Sequence, residues 1–100
     1  MNQYDIDVIE SGLGTQEEYY MAIQSAINSG MGWKMQGSYG RTMMDAIRTG
    51  CCMLGHTSSR DYYGNYIPSR DDVEPGTKGS YEYVIQMQGQ EWADTMGDLK

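Results

Sequence analysis

Apolar residues in this chain recur at helical spacing in three places, and each place reads as a helix. The plainest runs from Thr15 to Asn28, where Tyr19, Ala22, Ile23, Ala26 and Ile27 form one apolar stripe among polar neighbours. Thr15 followed by Glu18 predicts a capping box, in which each side chain reaches a backbone donor that the helix leaves unpaired. Glu17 and Glu18 also place negative charge in the first turn, where the helix dipole favours it. Gly30 is suited to close this helix with a left-handed residue.

A second helix is expected to begin near Ser38 or Tyr39, after an irregular link (residues 32–37) that carries Trp33 and Met35. Met43, Ala46 and Ile47 keep its period, and Met53 and Leu54 extend it. Gly50 falls inside that pattern, so it either ends the regular part or marks close packing. Ser80 to Met96 predicts a third helix with Tyr81, Val84, Ile85, Gln88, Trp92 and Met96 on one face. Gly89 weakens it by about 1 kcal/mol relative to alanine, and Tyr83-Val84-Ile85 leaves a strand as the rival reading.

Two segments lack this period. Residues 3–9 alternate Tyr4, Ile6 and Val8 with Asp5 and Asp7, which reads as a short half-buried strand before a turn at 11–14. His56 to Gly79 has no period, yet it holds Tyr62, Tyr63, Tyr66 and Ile67. A flexible linker would not be so aromatic, so an ordered loop packed on the helices is expected, with one helical turn over residues 71–74. The expected fold is thus mainly α: a small single domain of three helices, a short N-terminal strand and a long ordered Tyr-rich loop. A small α+β domain is the alternative.

Composition changes the picture of the core. Nine Met, nine Tyr, two Trp and no Phe in 100 residues imply an adaptable core in which each buried hydroxyl needs a partner. No apolar run approaches the ~20 residues that span a bilayer, so no membrane association is expected. The acidic N-terminus does not resemble a secretory leader, and adjacent Cys51 and Cys52 cannot staple distant segments. Reduced thiols and a cytoplasmic setting follow as expectations.

Charge is segregated. Residues 1–33 hold five carboxylates and no Lys or Arg; residues 34–70 hold five cations against Asp45 and Asp61; residues 71–100 hold seven carboxylates against Lys78 and Lys100. If the two acidic ends converge on folding, they form a surface that repels nucleic acid and attracts basic protein grooves.

Reactive motifs are sparse. Cys51, Cys52 and His56 are three soft ligands where a structural zinc site needs four, so no metal or cofactor is expected. Gly76-Thr77-Lys78-Gly79-Ser80 resembles a phosphate cradle but lacks the Walker spacing, and a capped helix start explains the same residues. Arg60, Tyr62, Tyr63, Tyr66 and Arg70 combine cations with polar aromatics, as a nucleotide-gripping patch would. A net charge of −7 opposes direct nucleic-acid binding. Paired acids such as Glu17/Glu18 and Asp71/Asp72 read as solvated helix starts, and no enzyme is expected.

The stretch from Gly40 to Ser80, through GRTMMDAIRTGCCMLG, RDYYGNYIPSR and VEPGTKGS, resembles short proteins encoded by bacteriophages and mobile elements. It covers about two-fifths of the chain. The resemblance implies an inhibitor of host defence of the anti-CRISPR type, several of which present carboxylates where nucleic acid would bind. The expected function is therefore binding without catalysis. Asp5, Asp7, Glu10, Glu17, Glu18, Asp71, Asp72 and Glu74 would dock on the basic groove of a host nucleic-acid-handling complex, in the host cytoplasm. The alternatives are an oligomeric sponge for a phosphorylated nucleotide, using Arg60, Tyr62, Tyr63, Tyr66 and Arg70, and a phage structural or assembly protein.

Overall fold

The computed structural model describes residues 15–35 and 39–99. The expected strand at 3–9 and the turn after it, with Asp5, Asp7 and Glu10, lie outside the described residues. Within them the chain is mainly helical with a minor β part. There are four α-helices, α1 (Gln16–Ser29), α2 (Tyr39–Arg48), α3 (Tyr81–Gln88) and α4 (Gln90–Asp98). A 3-10 turn (Gly32–Lys34) follows α1, and a small antiparallel pair, β1 (Ser59–Arg60) and β2 (Tyr66–Ile67), lies inside the long loop.

Helix α1 forms as its sequence predicts. Thr15 Oγ1 accepts from the Glu18 amide at 3.1 Å, and the Thr15 amide donates to Glu18 Oε1 at 3.3 Å. Gly30 ends the helix at φ 76°. The next turn inserts Trp33 into the core beside Met43, Ala46 and Ile47 of α2.

Helix α2 is shorter than the apolar period implies. Gly50, at φ 81°, stops it, and Cys51 and Cys52 both donate to Ala46 O. Residues 51–55 then run buried through the middle of the molecule. Their side chains alternate: Cys52 and Leu54 join the core of α1, the 3-10 turn and α2, while Met53 joins Val84, Ala93 and Met96 of α3 and α4. The strut is a strand in its side-chain period but joins no sheet among the described residues.

The third expected helix is two helices. Gly89, at φ 101°, cannot continue α3; its amide closes α3 on Ile85 O, and its carbonyl opens α4 through Ala93. The bend folds α4 back so that Tyr81 contacts Gln90 and Asp94. Tyr20 meets Trp92 edge-on at 6.1 Å, and Asn28 Nδ2 donates to Leu99 O at 2.9 Å. These contacts at opposite ends make α1 and α4 run in the same direction.

The Tyr-rich loop is ordered, as expected, but its regular part is the hairpin. Asp61 Oδ1 accepts from the amides of Tyr63 and Asn65 at 2.9 and 2.8 Å, and this fixes the turn. Residues 71–74 form no helical turn; instead the Asp72 amide closes a tight turn onto Ser69 O.

Candidate functional site

The strut at 51–55 requires polar partners, because an unpaired buried backbone group costs about 1–3 kcal/mol. Side chains from distant parts of the chain supply them. Gln24, fully buried, donates to Met53 O and accepts from the Met53 amide, both at 2.9 Å. Arg70 Nε donates to Leu54 O at 2.8 Å, and Trp92 Nε1 donates to Cys51 O at 2.8 Å. Asn28 Oδ1 accepts from both Gln24 and Arg70, which closes the network. Arg70 is accordingly a half-buried tie and not a ligand-gripping cation; burial lowers its affinity for its proton.

The other sequence-predicted residues divide in the same way. Glu17 and Glu18 stand at the N-terminus of α1. Asp71, Asp72 and Glu74 follow Arg70, which reaches Asn28 near the opposite end. At 1.5 Å per residue, roughly 16 Å of helix separates Glu17 from Asn28. Asp72 Oδ2 is occupied by the Ser69 amide and the Tyr66 hydroxyl, and these bonds, the Ser69 amide first, hold its carboxyl below the usual range. Glu17 and Glu18 stand in the first turn of α1 and Glu91 in the first turn of α4, and Tyr20 meets Trp92 one turn or less further along each helix.

Candidate chemistry elsewhere is used internally. Cys52 is fully buried and donates to Tyr20 O; burial and then neighbouring Cys51 push its thiol above the usual range. Tyr20 is pushed up to about 12, first by burial and then by Cys51. His56 Nε2 lies 3.0 Å from Leu99 O. Among the described residues no group of three His, Cys, Asp or Glu side chains is placed to hold a metal. Three amides of the Gly76–Ser80 stretch are spent on local turns. The Gly76 amide bonds Ser80 Oγ, the Thr77 amide bonds Glu74 O, and the Ser80 amide bonds Thr77 O, while Ser80 Oγ caps α3. It is a helix start and not a phosphate cradle.

The surface that remains open lies between α2 and the hairpin. Two depressions, of about 410 and 400 Å³, meet at Met44 and Ile67, which line both. The first is walled by Trp33, Met35, Tyr62 and Tyr63, with Arg41 at its edge. The second has a floor of Ile47, Leu54 and Val73, with Arg48 and Lys78 beside it. Met44 is 51% exposed, Tyr66 57% and Tyr63 83%. Tyr62 and Tyr63 stack edge-on at 5.1 Å, and Arg60 Nη1 donates to Gly64 O and braces the hairpin tip. Of the predicted nucleotide-gripping set, the hairpin keeps Arg60, Tyr62, Tyr63 and Tyr66 together, while Arg70 is drawn into the interior.

Sequence reasoning missed Met44 and Arg41. Their signal is helical: Arg41, Met44 and Arg48 recur at three and four residues along one side of α2, beside Ile47 and turned away from Met43, so a large apolar residue sits between two cations. No protein-family model matches the chain, and neither a curated protein nor a solved structure does. No helix among the described residues is long and apolar enough to cross a membrane.

Proposed function

We propose that this chain is a binding protein without catalysis, and that it holds a partner protein in the groove between α2 and the hairpin. One observation carries this reading. Met44, Tyr62, Tyr63 and Tyr66 are exposed on a single concave face, while Cys51 and Cys52 are buried and His56 lies against Leu99 O. Contiguous exposed apolar surface marks interaction sites on soluble domains. Methionine adapts its shape to a partner, and tyrosine and arginine are enriched among the residues that dominate binding energy. A photo-crosslinking residue in place of Tyr63 is expected to capture a partner that the same residue in place of Glu82 does not. Equal capture from both positions would end this reading.

A second reading keeps the expectation of an acidic inhibitor of a host nucleic-acid-handling complex. What supports it is the placing of Glu17, Glu18 and Glu91 in the first turns of α1 and α4, whose Tyr20 and Trp92 meet. Opposed charge there would steer a cationic cleft and exclude its polyanion. Reversing all three charges is expected to abolish salt-sensitive binding under this reading and to leave groove binding intact under the first.

A further inference from the structure

We infer that the groove is closed by a second copy of this chain, each hairpin tip seated in the other's groove; this rests on the protein-binding reading above and names its partner. The face carries both halves of such a contact. Tyr63, at the hairpin tip, is the most exposed large apolar side chain among the described residues. The second depression, about 400 Å³ over Ile47, Leu54 and Val73, is an open apolar hole. Met44 and Ile67 line both depressions, so they lie between the projecting ring and the hole. In a two-fold dimer residue i meets j while j meets i. With the axis at Met44, each Tyr63 is carried onto the other chain's second depression.

Charge and area favour the same occupant. The chain carries −7 overall, so two copies repel over most of their surface. Around the groove the signs balance: Arg41, Arg48 and Lys78 stand with Asp45, Asp61 and Asp72. Two copies can meet there without adding like charge, and a rim of both signs can be matched by itself. Met44, Tyr62, Tyr63 and Tyr66 together leave roughly 500–600 Å² in water, at ~200–250 Å² for a whole side chain. That is most of the about 800 Å² per partner that a stable interface takes, and the apolar floor and the rim supply the remainder.

Sedimentation velocity of the full chain, over about 1–100 μM, should show the 11.3 kDa species giving way to one of twice that mass. Met44→Glu and Tyr63→Ala should each weaken self-association roughly tenfold, with unfolding midpoints unchanged at the lowest concentration. Added salt should tighten the dimer, because it screens the charge of −7 on each chain. A photo-crosslinking residue in place of Tyr63 should join isotope-labelled to unlabelled chains at residues 73–78. A chain that stays monomeric while this probe captures a different protein would overturn the second copy and leave the groove reading standing. A dimer indifferent to both substitutions, or one that salt dissociates, would overturn the inference and leave the groove to another partner. A monomer whose probe captures nothing, or joins only residues 1–14 of its own chain, would overturn both.

Discussion

The strut side and the groove side of the molecule invert the usual relation between polarity and burial. Beside the strut, a fully buried glutamine and a half-buried arginine hold the chain together. Across α2, methionine and three tyrosines face solvent. Position in a buried hydrogen-bond network therefore decides the first set, and the hairpin's place at the surface decides the second. A buried extended segment without a sheet creates a fixed demand for side-chain donors and acceptors. The hairpin meets its own demand through Asp61, so its aromatic side chains stay available.

The contrast is broken most severely at Gln24. Gln24→Leu leaves the Met53 amide and carbonyl unpaired in the interior and is expected to cost about 3 kcal/mol, read as a lower urea midpoint at unchanged m. Gly79→Ala comes next. Gly79 sits at φ 95°, and an added Cβ would meet Leu54 Cδ1 at 2.6 Å. Its expected cost is about 2 kcal/mol, by backbone strain and crowding together, in the same measurement. Met44→Gln on the open side should change stability by less than about 0.5 kcal/mol while weakening the proposed groove binding; a loss as large as that of Gln24→Leu would mean that the groove is core.

Two pH responses sharpen the comparison further. Cys52 and Tyr20 ionise more easily in the unfolded chain than in the folded one. Their contribution is complete below the unfolded values, near 8.5 for Cys and 10 for Tyr, and is lost as pH rises through the raised folded values. Stability should decline above about pH 9, and Cys52→Ala should soften that decline. Asp72 has the opposite sign. Its depressed carboxyl adds stability above the unfolded value near 3.9, and this is lost as pH falls through the lower folded value. Asp72→Asn should flatten the acid limb slightly, the smallest effect of the series.

Much of the helical frame was legible. Thr15, Glu18 and Gly30 bracket α1 by local chemistry alone, and local chemistry is what a sequence displays. The period through Met53 and Leu54 misled because alternation in a buried strut and helical spacing share positions over a few residues. Gly89 carried its signal as a helix breaker, but whether it weakens a helix or divides it depends on the packing of Tyr81 against Asp94. At the candidate site the hairpin tyrosines were visible as a cluster. Arg70 was not readable as a tie, since its partners, Leu54 and Asn28, lie 16 and 42 residues away.

The strut has a consequence for the order in which this protein can be made. When residues 51–55 leave the ribosome Gln24 has already emerged, but Arg70 and Trp92 have not. Their carbonyls must stay hydrated until those partners arrive. The centre of the molecule is consequently the last part to settle, and a chain released short of Trp92 would have no means of completing it.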